Sequence, residues 1–227
     1  MYTLYIANKN YSSWSLRPWV LMQEFSILFE EKIIPFAEGS SWEDFRAFSP
    51  TGKVPCLHDD GLVVWDSLAI AEYLAEKQNG IWPEDSTARA FARAAAAEMH
   101  SGFSALRQDC PMNCGLRIQL DDISFNLQHD VDRIDELWCE GLRRFGGPFL
   151  AGDKFTAVDA FFAPVAFRVQ TFSIPLSEPA LGYATRLLAL TSMRNWEAAA
   201  LKEPWREIEH EQQILAAGTL LADYRST

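Results

Sequence analysis

The chain has 227 residues, 48% of them apolar, and a formal charge of -11 at pH 7. This length holds one large domain or two small ones, and the acidic balance argues against nucleic acid or an anionic membrane as a partner. No run approaches the roughly 20 apolar residues that span a bilayer, and the N-terminus lacks a signal-peptide pattern, so we expect a cytoplasmic protein.

Over the first 78 residues, short apolar runs alternate with helical patterns. The segments TLYIA and EKIIPF are predicted strands, and LRPWVLMQEF, SWEDFRAF and SLAIAEYLAEKQ are predicted helices. VPCLHD and LVVWD flank a turn of Asp59, Asp60 and Gly61, which predicts a hairpin. The order β-α-β-α-β-β-α indicates a mixed sheet with helices packed against it.

After residues 79–86, which are typical of a linker, almost everything follows a helical period. The predicted helices are ARAFARAAAAEMHSGFSALR, DDISFNLQHDVDRIDELWCEGLRRF, TAVDAFFAPVAFRVQ, and two more over about 178–192 and 194–215. Thr156 and Asp159 have the spacing of a capping box at the third of these. We therefore predict a small α/β domain over 1–78 and an all-helical domain over 87–227.

The four cysteines form no CxxC pair, so buried reduced thiols are expected. Cys110 and Cys114 are four residues apart, but the nearest histidines, His100 and His129, do not complete a zinc spacing. We predict no metal site.

Three serines and two tryptophans lie at the junction of the first predicted strand and the first predicted helix, in NYSSWSLRPW. One interpretation is that Ser12, Ser13 or Ser15 caps the helix. The other is that a hydroxyl at a helix N-terminus meets an anionic ligand. The local pattern leaves both open.

Two further motifs follow strands. Val54-Pro55 stands directly before a strand, where the X-Pro bond is either a candidate for the cis form or an ordinary strand start. Asp66-Ser67 opens a helix, and two acceptor side chains beside free amides suit an amino-acid zwitterion as well as a simple cap.

Together these motifs resemble the cytosolic glutathione transferase family. SSWSLR, KVP and DS stand at the expected junctions, a helical second half follows, and FTAVDAFFAPV resembles the capping motif of the family's helical domain. The resemblance covers essentially the whole chain. It implies a thioredoxin-like N-terminal domain that binds glutathione, and an all-helical C-terminal domain that shapes the pocket of the second substrate.

The resemblance also implies roles for individual residues. Ser12 is implied as the hydroxyl that donates to the glutathione sulfur, or Ser13 if the loop register differs by one. A hydrogen bond and a helix N-terminus both favour a thiolate, because each lowers the pKa of a thiol from about 8.5. Arg17 is implied as structural.

The remaining glutathione contacts are implied by the same resemblance. Lys53 would meet the glycyl carboxylate, and the Val54 backbone, preceding Pro55, would clamp the cysteinyl part. Asp66 and Ser67 would hold the γ-glutamyl end. Glutathione is thus the expected co-substrate.

The pocket for the second substrate is less defined by the sequence. SSxSxR resembles the zeta-like branch, which includes maleylacetoacetate isomerases, but Trp14 stands where a cysteine is common there. Trp14 is either a wall for a hydrophobic electrophile or plain packing. Phe103 and Arg107 lie one helical turn apart and would face the same pocket, although a surface ion pair is the ordinary fate of Arg107. His100 is expected to be a satisfied polar residue.

Three functions remain at this stage. The first is a serine-type glutathione S-transferase acting on a small hydrophobic electrophile, the second is a glutathione-dependent cis–trans isomerase, and the third is a non-catalytic binding module of the same fold. The resemblance also implies a homodimer. Trp42, Phe45 and Phe48 would serve either a dimer contact or a private core.

Overall fold

The computed structural model describes residues 1–36 and 40–225. Its N-terminal part contains a mixed sheet in the strand order β2-β1-β3-β4, in which only the β1–β2 pair is parallel. The elements follow the predicted order: β1 (Tyr2–Ile6), α1 (Ser13–Glu24), β2 (Phe29–Ile33), α2 (Trp42–Arg46), β3 (Cys56–Asp59), β4 (Leu62–Trp65) and α3 (Ser67–Ala75).

The second part is helical, with one exception. Its helices are α4 (Ser86–Ser101), α5 (Ser104–Asp109), α6 (Phe125–Phe145), α7 (Ala157–Phe172), α8 (Glu178–Ala189), α9 (Thr191–Ala200) and α10 (Ile208–Ala216). The exception is an antiparallel pair formed by β5 (Leu116–Leu120) and β6 (Gly218–Asp223), which the helical periodicity did not predict.

Helix α7 lies at the centre of the molecule. Nearly all of its residues are buried, and it packs against α1, α4 and α8. The predicted capping box is present: Thr156 and Asp159 satisfy each other's backbone N–H groups at the start of the helix. One hydrophobic cluster runs from the sheet through α1 and α7 into the helical part. The first helix is thereby fixed by both parts of the chain.

Two predicted helices are interrupted, and the predictions of single helices there are wrong. The segment predicted as one helix over ARAFARAAAAEMHSGFSALR ends at Gly102, and α5 restarts after Phe103, whose φ is 56°. The helix predicted over 194–215 is divided into α9 and α10 around Pro204, since proline cannot donate the backbone hydrogen bond that continues a helix.

The aromatic residues after β2 form mainly a private core. Phe45 is buried against Phe36 and Phe48, and Phe48 stacks on Tyr5 of the sheet. Trp42 is exposed.

Three cysteines, Cys56, Cys110 and Cys114, are buried as free thiols, and Cys139 is half-buried. Within the described ranges, no helix combines the length and apolar character needed to cross a membrane. No group of three or more His, Cys, Asp or Glu side chains is placed there to hold a metal ion.

Candidate active site

A cleft of about 430 Å³ opens where the sheet edge meets the start of α3 and of α1. It brings together motifs that are far apart in sequence. Its lining residues are Trp14, Thr51, Lys53, Val54, Pro55, Trp65, Asp66 and Ser67. All five predicted glutathione contacts are therefore among them, together with Thr51 and Trp65, which sequence reasoning did not single out.

One wall of the cleft is the segment that leads into β3. The Val54-Pro55 peptide bond is cis, as one of the two interpretations of the sequence proposed. Gly52 precedes it with φ +61°, and an added Cβ there would lie 2.8 Å from the Trp42 ring, so the turn requires glycine. This turn leaves the Lys53 side chain exposed at the cleft.

The opposite wall is the start of α3. Asp66 is its N-cap, with Oδ1 accepting from the Leu68 N–H at 2.8 Å, and its φ of 76° is unusual for a non-glycine residue. The Ser67 hydroxyl accepts from Arg17 Nη1 at 3.4 Å, which leaves its own proton for an acceptor in the cleft. Backbone and side-chain groups of both residues thus meet at one helix N-terminus, where the helix dipole favours negative charge.

Asp66 also connects the cleft to the helical part. Its Oδ2 lies 3.2 Å from His100 Nε2 on α4. Burial, and then the nearby Arg17 and Arg107, lower the pKa of His100 against the opposing effect of Asp66. His100 is therefore neutral near pH 7 and lies beside the Asp66 carboxylate without forming a charged pair with it.

Among the predicted serines, Ser12 uses its hydroxyl in hydrogen bonds within the protein. It is the N-cap of α1; its Oγ donates to Ser15 Oγ at 2.7 Å and accepts from the Ser15 N–H at 3.4 Å. Ser15 Oγ in turn accepts from the Ala7 N–H at 3.2 Å. The capping interpretation holds for this hydroxyl, and its single proton is already used.

Ser13 differs from its neighbour. It is the first residue of α1, and its hydroxyl makes no side-chain hydrogen bond within residues 1–36 and 40–225. Neither Ser12 nor Ser13 lines the cleft itself, but Trp14, the next residue, does. The uncommitted hydroxyl at this corner is therefore that of Ser13.

The ring of Trp14 is held between cationic groups. The Arg17 guanidinium lies 4.1 Å and that of Arg107 4.7 Å from its ring centroid, and His100 contacts it edge-on at 5.3 Å. Both arginines also donate to the Met99 carbonyl, Arg17 at 3.5 Å. Trp14 is thus packed against these side chains while it also lines the cleft, so both interpretations of the sequence, a wall for an electrophile and plain packing, stay predictions.

Arg17, Arg107 and Arg168 form what we call the arginine cluster. Burial lowers the pKa of each; repulsion from Arg107 and Arg168 adds to this at Arg17, repulsion from Arg107 adds to it at Arg168, and the pKa of Arg168 falls to about 9. Arg17 Nε and Arg168 Nη1 are buried without a hydrogen-bond partner. Among the described residues, none of the three forms an ion pair with an acidic side chain. This is a concentration of positive charge close to Trp14.

Two residues predicted for the electrophile pocket, Phe103 and Arg107, do not line this cleft. Phe103 is buried in the hydrophobic core, because the chain turns at Gly102 and directs the ring inward. Arg107 donates to the carbonyls of Gly102 and Met99 at the end of α4, and it touches Trp14 rather than lining the cleft. The surface ion pair considered for Arg107 is not formed within the described part of the chain.

The β1–α1 loop (residues 7–12) is held by the helical part of the chain, which sequence reasoning missed. The Glu203 carboxylate accepts from the Lys9 and Asn10 N–H groups at 2.7 and 3.1 Å. The Trp196 indole donates to the Lys9 carbonyl at 2.9 Å, and the Cys114 N–H donates to the Asn10 side chain at 3.0 Å. The interruption by Pro204 was the only sequence signal near Glu203.

Comparisons with known proteins agree with this geometry. The family model "Glutathione S-transferase, N-terminal domain" matches residues 11–77. Glutathione S-transferase DHAR2 of Arabidopsis thaliana is 29% identical over 90% of this chain and 86% of its own. Maleylacetoacetate isomerase of Rattus norvegicus is 26% identical over 73% of this chain and 74% of its own.

Solved structures are similar over most of the fold. A glutathione transferase homologue from Burkholderia, solved with bound glutathione, has a TM-score of 0.65 at 22% identity and covers 88% of this chain and 97% of its own. A Tau class glutathione S-transferase from mango has a TM-score of 0.67 at 19% identity, with 95% and 96% coverage. These likenesses confirm the predicted fold, a thioredoxin-like N-terminal domain followed by a helical domain.

Proposed function

The chain belongs to the glutathione S-transferase family, and we propose that it activates the glutathione thiol through a serine hydroxyl for attack on a small hydrophobic electrophile. Membership of this family confirms the prediction of a glutathione S-transferase enzyme. The serine mechanism and the substrate are our proposal. One observation carries it: the cleft joins Lys53, Val54 and the Asp66-Ser67 helix start beside α1.

Glutathione is proposed to lie along this cleft. The exposed Lys53 ammonium suits the glycyl carboxylate, and the Val54 backbone before Pro55 suits the cysteinyl peptide unit. At the other end, the Asp66 carboxylate suits the γ-glutamyl ammonium, while the Ser67 hydroxyl and the α3 N-terminus suit its carboxylate. This orientation directs the thiol toward Trp14 and the start of α1.

The hydrogen-bond pattern moves the proposed catalytic role from Ser12 to Ser13. Ser12 already donates its proton to Ser15, whereas the Ser13 hydroxyl has no partner in the described chain. A hydroxyl donor at a helix N-terminus stabilises the thiolate, and the lowered pKa provides more nucleophile near neutral pH. The thiolate then forms the carbon–sulfur bond while the electrophile's leaving group departs.

Serine variants test this mechanism directly. We expect wild-type protein to bind glutathione in calorimetry and to show thiolate absorbance near neutral pH. Ser13→Ala should keep binding and lose ionisation, by up to about tenfold in thiolate at pH 6.5 if the hydrogen bond contributes one pKa unit. Ser12→Ala is the matched control, and it should affect stability through the cap of α1 more than ionisation. Loss of ionisation in Ser12→Ala alone would return the role to Ser12.

The arginine cluster favours a second candidate, glutathione-dependent cis–trans isomerisation. Maleyl compounds carry two carboxylates, and buried guanidinium groups without acidic partners favour such anions. Trp14 stands against it, since its indole occupies space near the proposed thiol position. Assays with a maleyl substrate and with an aryl halide decide between the two: turnover of only the first, dependent on glutathione, would assign isomerase activity.

We also propose the boundaries predicted from the sequence, with a glutathione-binding domain at 1–78, a linker at 79–86 and a pocket domain at 87–227, in a cytoplasmic homodimer. An exposed apolar surface at β4 and α3, including Leu62 and Trp65, supports self-association. Light scattering should give twice the chain mass of 25.7 kDa.

A further inference from the structure

The structure leads us to propose that Glu203 is a positioning residue for thiol activation. Its carboxylate holds the β1–α1 loop, which ends at the serines, from the helical part of the chain. The inference rests on the proposed function, because it concerns the hydroxyl proposed to meet the glutathione sulfur. Glu203 does not line the cleft and touches none of the proposed glutathione contacts.

The geometry of Glu203 is that of a bidentate clamp. One carboxylate oxygen accepts from the Lys9 N–H at 2.7 Å, and the other accepts from the Asn10 N–H at 3.1 Å. The two partners are consecutive in the loop and lie 194 and 193 residues from Glu203 in sequence. Both oxygens are thus used on one peptide segment, which fixes its orientation as well as its position.

The clamp is buried and forms no direct ion pair with any side chain that the structure describes. Glu203 is only 6% exposed, and the Lys9 ammonium turns instead to Glu31, 2.7 Å away. Burial raises the pKa of Glu203, and the two backbone hydrogen bonds act against that shift. The carboxylate is therefore held mainly by backbone donors that would lack a partner without it.

The clamped segment leads directly to the serines. Asn8, one residue before it, accepts through its carbonyl from the Tyr11 N–H at 3.2 Å and the Ser12 N–H at 2.8 Å. Ser12 caps α1, and Ser13 is the first residue of that helix. A shift of Lys9 and Asn10 is transmitted to Ser13 across this short hydrogen-bonded turn, and donor placement within a fraction of an ångström decides how well a thiolate is stabilised.

Other contacts of the helical part hold different atoms of the loop. Trp196 binds the Lys9 carbonyl and Cys114 binds the Asn10 side chain, so neither replaces Glu203 as acceptor for the two N–H groups. Glu203 comes from the segment between α9 and α10, which is interrupted by Pro204. Because the chain is not helical at this point, the Glu203 side chain is directed toward the loop.

Glu203→Gln tests the inference, with Glu207→Gln as the matched control. The amide keeps the side-chain length but offers one acceptor oxygen and turns an NH₂ group toward the second N–H. Glu207 caps α10 by accepting from the His210 N–H at 2.5 Å, and no contact with the loop is formed by its side chain among the described residues. The control therefore removes a carboxylate charge from the same segment, while its amide oxygen still accepts the single hydrogen bond that Glu207 makes.

Three measurements are made on the 227-residue chain. Hydrogen exchange of the ligand-free protein measures the protection of the Lys9 and Asn10 amides. Ultraviolet difference spectra measure the amount of thiolate in bound glutathione, and steady-state kinetics give kcat and KM separately. For Glu203→Gln we expect faster exchange at both amides, about tenfold less thiolate at pH 6.5, and a KM for glutathione changed less than about twofold. Glu207→Gln should leave all three at wild-type values. Glu203→Asp, which keeps the charge, should restore part of the ionisation.

The outcomes separate this inference from the proposed function. Wild-type ionisation in Glu203→Gln, or equal losses in Glu203→Gln and Glu207→Gln, would overturn the positioning role alone. Failure of the wild-type protein to ionise glutathione would overturn the proposed mechanism and this role together, while exchange would still report the clamp. If Glu203→Gln does not fold, Glu203→Asp tests the role with a smaller expected effect, because its shorter side chain withdraws both acceptor oxygens from the loop. Exchange at both amides should still rise and the thiolate should still fall, and wild-type values of both would overturn the positioning role.

Discussion

Arg17 shows how a single residue is stabilised without an ion pair. It is fully buried in α1, stacks on Trp14 and Phe161 at 4.1 and 4.9 Å, and makes only long hydrogen bonds, to Ser67 and Met99. Its Nε has no partner. Burying a charge in this way is costly, and stacking of a planar, weakly hydrated guanidinium offsets part of that cost. The sequence-based prediction of a structural role agrees with these contacts.

The melting temperatures of Arg17 variants should therefore depend on the hydration and the shape of the new side chain. We expect Arg17→Lys to lower the melting temperature more than Arg17→Met, because the ammonium is more strongly hydrated and cannot stack, whereas methionine fills the space without charge. Thermal unfolding of ligand-free protein measures the difference. A lower melting temperature for Arg17→Met than for Arg17→Lys would show instead that the hydrogen bonds of the guanidinium dominate.

The site residues that sequence could predict belong to local motifs. Val54-Pro55 and Asp66-Ser67 are defined by adjacent residues at strand and helix ends, and the structure places both pairs in the cleft. The orientation of the Ser12 hydroxyl depends on whether Ser15 accepts its proton, and serine spacing alone does not determine this. Glu203 was out of reach because its partners lie about 190 residues away.

At the scale of elements, α7 depends on one buried carboxylate. Asp159 accepts from the Leu150 and Thr156 N–H groups and from the Tyr183 hydroxyl, at 3.1, 2.9 and 2.8 Å. Burial raises its pKa to about 6 despite these hydrogen bonds. Because the folded-state pKa lies above the unfolded value, the associated stability is fully present below about pH 4 and is lost as pH rises through 6.

The Asp159→Asn variant should reveal this dependence. The wild-type free energy of unfolding should fall by an extra amount, on the order of 3 kcal/mol, between pH 4 and 7 compared with Asp159→Asn, whose side chain does not titrate. At neutral pH the variant should still be less stable, because an amide nitrogen cannot accept the hydrogen bonds that the carboxylate accepts. Denaturant titrations at several pH values measure both effects, and parallel pH profiles would contradict the assignment.

Element boundaries were predicted well where the signal was local. The order of the first seven elements and the α7 capping box follow from periodicity and nearby caps. Alanine-rich periodicity concealed the break at Gly102, and β5 pairs with β6 across about a hundred residues. The residues of β5, LRIQL, do alternate between apolar and polar, which is a strand signal, but those of β6, GTLLAD, do not. The pairing of the two strands therefore could not be predicted from the sequence.

At the scale of the whole molecule, the sheet and the helices share one hydrophobic core. Helix α1 buries one side on the sheet and another on α7, and Trp19 of α1 contacts Trp196 of α9 edge-on at 5.1 Å. The β1–α1 loop is likewise bonded to both parts. Separating the two parts would expose α1 and leave the Lys9 and Asn10 N–H groups of the loop without acceptors.

We therefore expect the chain to unfold in one cooperative transition. Trp19 reports the N-terminal part and Trp138, buried in α6, reports the helical part. In guanidinium titrations at a fixed protein concentration, the contribution of each tryptophan is the fluorescence change that the wild type shows and that Trp19→Phe or Trp138→Phe loses. Both contributions should have the same midpoint, and it should match the midpoint of far-UV circular dichroism. Fixed concentration removes the effect of self-association on the midpoint. An earlier transition at Trp19 would show that the sheet unfolds while the helices stay folded; in that case the clamp between Glu203 and the loop would be lost before the core of the helical part.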